Sequence, residues 1–325
     1  MNVLVLTNNC ASLPVLGFLA DRKLLSAIIA PLPANADTPI LEDWAAGRAV
    51  TFFRIEKHLL EEELRGFTSA FPNHLVLSFC FPWRIPTALL ADGPSRFFNV
   101  HFSLLPQYAG PTPLFWQLRD GCTKGGVTLH QLTSTLDGGP VAGSTVVPLL
   151  PGENEGLYST RLAAAAVPLV QALVTELQSG RLPRLTPQPA EDRSYRPRPR
   201  AEDLYIYWDR FSGAETEQLV NASNPGAGGA LTFFRGQPVR LLEVTPADGA
   251  VAAGTPGGTI VHADAAQGLF VICADGGLLR LNVLGLREGW YSGGKLSALG
   301  FRAGDRFDLP PQQQPVILSP SFIHH

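Results

Sequence analysis

The stretch 2-NVLVLTNNCASLPVLGFLADRKLLSAIIAP-31 decides the fold. Residues 2-NVLVLT-7 form a continuous apolar run with the length of a buried strand. Next, 12-SLPVLGFLADRK-23 reads as a helix, and 24-LLSAIIAP-31 returns to a strand. The alternation continues outward. The segment 55-IEKHLLEEELRGF-67 spaces its leucines helically with acids outside, and 74-HLVLSF-79 and 97-FFNVHF-102 are short apolar strands. Two more strands are read at 126-GVTLHQL-132 and 142-AGSTVVPL-149. This pace predicts an α/β fold with a Rossmann-like, mostly parallel sheet and helices on both faces. Such sheets bind ligands at the carboxyl ends of their strands. A long helix from Glu155 to Gln178 places Leu162, Ala166, Leu169, Val170, Leu173, Val174 and Leu177 on one face. Pro168 lies inside it, where a kink or a broken ladder is expected.

A chain of 325 residues predicts two domains. The composition changes in 181-RLPRLTPQPAEDRSYRPRPR-200, which holds five prolines and six arginines against one Glu and one Asp. It reads as an extended linker. Beyond 204-LYIYWDRF-211 and a helix around 214-AETEQLVNA-222 come β-patterned segments at 231–236, 238–244, 258–263 and 269–284, with a closing stretch at 301–307. Short strands with Gly-rich turns predict a smaller C-terminal β-barrel, OB-like in kind. The expected division is a catalytic domain over 1–185, a linker over 186–203, the barrel over 204–310 and a disordered tail over 311–325.

The formal net charge of −3 gives no global attraction to nucleic acid or to an anionic membrane. Cys10, Cys80, Cys122 and Cys273 show no CxxC spacing, so neither a disulfide framework nor a metal site is expected. No signal peptide opens the chain, and no charge-free apolar run reaches membrane-spanning length, so a cytoplasmic protein without membrane association is expected. There is no GxGxxG or P-loop, which argues against a dinucleotide or nucleoside triphosphate cofactor.

The chemistry concentrates in 98-FNVHFSLLPQYAGPTP-113. Asn99 and His101 stand side by side at a strand end, followed by a turn that Pro106 restricts. Asp137, in 135-TLDGGPV-141, follows the next strand and precedes two glycines, which places it in a tight loop at the same sheet edge. An amide, an imidazole and a carboxylate meeting there suit acyl transfer. The first two can donate to an oxyanion, and the carboxylate can orient the imidazole and its proton.

The motifs 99-NVHFSLLPQYAG-110, 126-GVTLH-130 and 137-DGG-139, in that order and spacing, resemble the folate-dependent formyltransferases, which include enzymes of methionyl-tRNA, glycinamide ribonucleotide and sugar amines. The resemblance implies transfer of a formyl group from 10-formyltetrahydrofolate to an amine, with Asn99, His101 and Asp137 in the catalytic positions. It further implies folate contacts along 79-FCFPWRIP-86, at Phe81, Trp83, Arg84, Ile85 and Pro86, together with Asp137. The loop from Tyr108 to Pro113 would border the amine, with Ser103, Tyr108 and Gly110 as substrate-binding residues. The segment 219-LVNASNPGAGGALTFFRGQPVRLLEV-244 resembles the barrel appended to the tRNA enzymes.

The acceptor is read from charge. Where the tRNA enzymes carry a basic loop, 31-PLPANADTPILEDWAAGRAV-50 holds Asp37, Glu42 and Asp43 against Arg48, and Tyr108-Ala109-Gly110 lacks the family's usual arginine. Both departures favour a small-molecule amine, such as a nucleotide-linked amino sugar or an ornithine-type amine. Initiator tRNA stays open as the second acceptor, with Arg193, Arg196, Arg198 and Arg200 as its phosphate contacts. A non-catalytic folate-binding protein is the alternative of another class, and a homodimer is left open.

Overall fold

A computed structural model describes residues 1–91 and 96–310; the tail expectation for 311–325 lies outside the described residues. Parallel strands β1 (Asn2–Leu6), β2 (Leu25–Pro31), β3 (Thr51–Ile55), β4 (His74–Phe79) and β5 (Phe97–His101) are joined by α1 (Leu13–Asp21), α2 (Asp37–Ala46), α3 (Leu60–Ala70) and α4 (Thr87–Ala91). After α5 (Pro113–Arg119), β6 (Lys124–Gln131) and β7 (Val141–Pro148) add on antiparallel, and α6 (Glu155–Gln178) returns over the sheet. The order is β3-β2-β1-β4-β5-β6-β7.

The strands alternate their side chains between two cores. Val3, Val5, Leu77, Phe98 and Val100 meet Leu16, Leu162, Val170 and Leu173 on the side of α1 and α6. Leu4, Leu6, Ile29, Val76 and Phe97 meet Leu60, Leu64, Ile85 and Leu89 on the other. Because Phe97 points to this second side, Asn99 and His101, two and four residues on, do so as well.

α6 begins where Asn154 accepts the Leu157 N–H at 3.0 Å, and it runs unbroken through Pro168, which sits on its exposed face. By length and composition α6 could cross a membrane, but its apolar stripe lies on β6, β7 and α1. The stretch read as a loop over 31–50 contains α2, and β3 was not anticipated. β3 is an edge strand with only Ile55 buried, so its sequence shows neither a buried run nor a clean alternation.

The C-terminal part opens on α7 (Gly213–Ser223), whose Ser212 and Glu215 satisfy each other's backbone N–H in a capping box. Its sheet comprises β8 (Ala230–Phe234), β9 (Gln237–Ala247), β10 (Ile260–Asp264), β11 (Gly268–Ile272), β12 (Leu278–Leu286) and β13 (Gly289–Ser292), followed by α8 (Gly293–Ala298). All pairings are antiparallel, in the order β10-β11-β12-β9-β8 with β13 on β12. The β-patterned segment 269–284 is a hairpin turning where the Cys273 N–H bonds the Gly277 carbonyl. The closing stretch forms no strand. Its end nevertheless bridges both sheet edges, Arg306 to Thr259 beside β10 and Asp308 to Phe233 on β8. Trp208, Phe234, Phe301 and Phe307 stack inside, and Phe115 and Leu118 of α5 belong to the same core. Helix α5 and the C-terminal sheet are therefore packed as one body of apolar contacts.

The Pro- and Arg-rich segment is extended and is bonded to the rest of the chain. Thr186 exchanges two backbone hydrogen bonds with Val141, each 2.8 Å long, and Tyr195 bridges in parallel to Ala109. Of its arginines, Arg193 bonds the Leu136 carbonyl, Arg196 pairs with Asp120 and Arg200 pairs with Glu202 and Asp203.

Candidate active site

β5 and β6 set the register of the site. Asn99 lies opposite His130, and His101 opposite Thr128. His101, His130 and Asp137 are buried. The His101 Nε2–H donates to the Tyr108 carbonyl at 3.0 Å, which leaves Nδ1 facing Asp137 Oδ1 at 3.8 Å. His130 donates from Nδ1 to the Gln131 carbonyl at 3.0 Å, so its Nε2 is an acceptor and takes an Asn99 Nδ2–H at 3.2 Å. The same Nε2 lies 3.7 Å from Asp137 Oδ1. Burial first, and the neighbouring His101 second, push His130 down to about 4 against the opposing pull of Asp137. His130 is therefore neutral near pH 7 and fixes which end of the Asn99 amide carries the donors.

Asp137 is anchored by its other oxygen, Oδ2, which accepts the Gly110 N–H at 2.9 Å. Its φ of 50° and the φ of 53° at Tyr108 put two non-glycine residues in the left-handed region on either side of the imidazole. Each such residue costs roughly 1–2 kcal/mol, so the surrounding bonds must hold both in place. Glycine is needed at two points. A Cβ on Gly110 would lie 2.1 Å from the Arg196 carbonyl oxygen, and one on Gly139 would lie 1.8 Å from that of Gln131.

Phe81 and Trp83 meet edge to face, 5.3 Å between centroids, and both pack with buried Ile85 against the core that contains Phe97. Pro86 is half-buried and Arg84 is exposed. This segment thus borders the sheet face from which Asn99 and His101 project.

Two residues expected at the acceptor have side chains bonded within the chain. Ser103 is fully buried; its hydroxyl donates to the Gln107 carbonyl at 2.7 Å, and its own carbonyl accepts the Thr128 hydroxyl at 2.7 Å. It holds the turn after β5 and is closed to a substrate. The Tyr108 side chain is turned aside, its hydroxyl 3.1 Å from both Asp120 Oδ2 and Cys122 Sγ. What Tyr108 presents to the site is its carbonyl. His130 was not singled out from the sequence, although 126-GVTLH-130 put Thr128 and His130 on one strand face.

Residues 51–174 match the family described as formyl transferase, and residues 199–289 match the formyl transferase C-terminal domain. The methionyl-tRNA formyltransferase of Aromatoleum aromaticum is 30% identical over 250 residues, 76% of this chain and 76% of that one. The chain belongs to the formyl transferase family. The fold of this formyltransferase recurs in solved structures of low identity. The N-formyltransferase of Helicobacter canadensis, in complex with folinic acid and dTDP-3-aminofucose, superposes at a TM-score of 0.63 with 12% identity, covering 86% of this chain and 98% of that one. HypX of Aquifex aeolicus in complex with tetrahydrofolic acid gives 0.62 with 17% identity over 91% of this chain, which spans only 46% of HypX.

Proposed function

We propose that this formyltransferase moves the formyl group of 10-formyltetrahydrofolate to the primary amine of a small metabolite, such as a nucleotide-linked amino sugar or an ornithine-type amine. The domain roles follow: catalysis in 1–185, connection by 186–203, and a barrel over 204–310 that completes the packing around α5. The folate donor is supported by similar structures solved with tetrahydrofolic acid and folinic acid, and the compartment we propose is the cytoplasm.

The donor sits against Phe81, Trp83 and Ile85. The unprotonated amine attacks the formyl carbon. Asn99 Nδ2 has one hydrogen committed to His130 and a second free for the developing oxyanion, and the Nδ1–H of an imidazolium at His101 supplies the other donor. Asp137, across the 3.8 Å gap, stabilises that imidazolium and relays the amine proton to the departing N10. The carbon–nitrogen bond to the acceptor forms as the carbonyl opens to the oxyanion, and collapse of that oxyanion breaks the bond to N10, which leaves with the relayed proton.

The observation that carries the choice of acceptor is the sign of the charge on α2 and over the barrel. α2 carries Asp37, Asp43 and Glu42, the last paired with Arg54. The barrel over 204–310 has eight basic against ten acidic residues. Three of the four connecting arginines named above are bonded to their own chain. A phosphate backbone would have to displace these contacts. The second reading, initiator tRNA, is favoured by the relative named methionyl-tRNA formyltransferase, which aligns over three quarters of both chains. Transfer from 10-formyltetrahydrofolate is measured in parallel to charged initiator tRNA and to a panel of amino sugars and ornithine-like amines. Transfer to a small amine with none to tRNA is expected; efficient transfer to tRNA alone would reverse the assignment.

A further inference from the structure

The two loops that hold His101 share one support, and it comes from neither loop. Gln188 Nε2 donates its two hydrogens to the carbonyls of Asp137, at 3.0 Å, and Gly139, at 2.6 Å. The Arg193 guanidinium donates to the Leu136 carbonyl at 2.5 Å. One residue on, Ser194 serves the opposite loop. Its hydroxyl accepts the Tyr108 N–H at 2.9 Å, its carbonyl accepts the Ala109 N–H at 2.8 Å, and its own N–H donates to the Pro106 carbonyl at 3.2 Å. The Arg196 N–H then bonds the Ala109 carbonyl at 2.7 Å.

These contacts fall where local structure is weakest. Leu136 to Gly139 is a loop with two adjacent glycines and a left-handed aspartate, and left to itself it would sample many conformations. Tyr108 is left-handed too, and its carbonyl is the acceptor for the imidazole Nε2–H. The segment 188–196 ties one loop by side-chain donors and the other largely by main chain. It thereby sets the gap in which the Asp137 carboxylate and the Tyr108 carbonyl face the same ring. We propose that Gln188, Arg193 and Ser194 are positioning residues for formyl transfer, acting on His101 through Asp137 and Tyr108. The inference rests on the catalytic reading given above. It assigns the connecting segment to the active site as its clamp.

The test uses the full-length protein. Gln188→Ala is expected to lower kcat ten- to a hundredfold, with KM for 10-formyltetrahydrofolate within twofold of wild type. Arg193→Ala is expected to behave likewise, and Arg193→Lys, which keeps a donor, recovers most of the loss. In an Asp137→Asn background, Gln188→Ala adds less than a twofold loss, because its effect passes through the carboxylate already removed. Amide hydrogen exchange, measured with no substrate present, should speed up at Gly110, whose N–H is held by Asp137. Unchanged kcat in Gln188→Ala, full additivity with Asp137→Asn, or unchanged exchange at Gly110 each overturns the clamp. Wild-type protein that transfers formyl to no acceptor would instead defeat the catalytic reading, and the exchange result would still decide the clamp by itself.

Discussion

Asn99 depends on a residue of the neighbouring strand for its orientation. The His130 Nε2 lone pair takes one of its amide hydrogens, and the buried, neutral state of that imidazole keeps the lone pair free. His130→Leu therefore leaves the fold intact but frees the Asn99 amide to rotate, and kcat should fall about tenfold, below the 10²–10⁴-fold usual for loss of a group that moves a proton. Steady-state kinetics with a parallel thermal melt check this. The trio Asn99, His101 and Asp137 was legible because strand alternation, a proline turn and an Asp-Gly-Gly loop each leave a local mark. His130 was not, since a histidine in an apolar strand reads as core until the register with Asn99 is known. The Ser103 hydroxyl misled for the converse reason: sequence shows a polar group near the site but not that the turn consumes it.

Among the elements, α6 was legible to its ends because an Asn cap, a long amphipathic stripe and a following Gly coincide. β3 was invisible, being an exposed edge, and in 269–284 the β pattern was legible but not the turn between its two strands, which apolar runs flank on both sides. At the start of α6, half-buried Glu155 accepts the Gly226 N–H at 3.0 Å, joining the helix to the loop before β8. Burial raises its carboxyl to about 7 despite that bond, which pulls the other way. The unfolded chain releases this proton near the ordinary value of 4.5, whereas the folded protein keeps it until about 7. The contribution of Glu155 to stability is thus complete below 4.5 and is lost as pH rises through 7. Glu155→Gln keeps an acceptor for Gly226 and never ionises. Denaturant melts should show it gaining stability over wild type at pH 8 and little or none at pH 5; equal differences at both pH values would contradict this.

Over the whole molecule, the two sheets and their order of appearance were legible from periodicity, and the boundary region from its prolines and arginines. What that region does was hidden. Its contacts reach back some fifty residues to the Asp137 loop and further to Tyr108, and no local pattern encodes pairing over such distances. The same contacts turn arginines that looked available for phosphate into donors to their own chain. The account stands or falls on whether Asn99, His101 and Asp137 transfer the formyl group. The most direct measurement is single-turnover formyl transfer by Asp137→Asn against wild type, at saturating 10-formyltetrahydrofolate and with the preferred amine. The predicted result is a loss of about 10²–10⁴-fold in rate with the donor still bound. A rate near that of wild type would contradict the account.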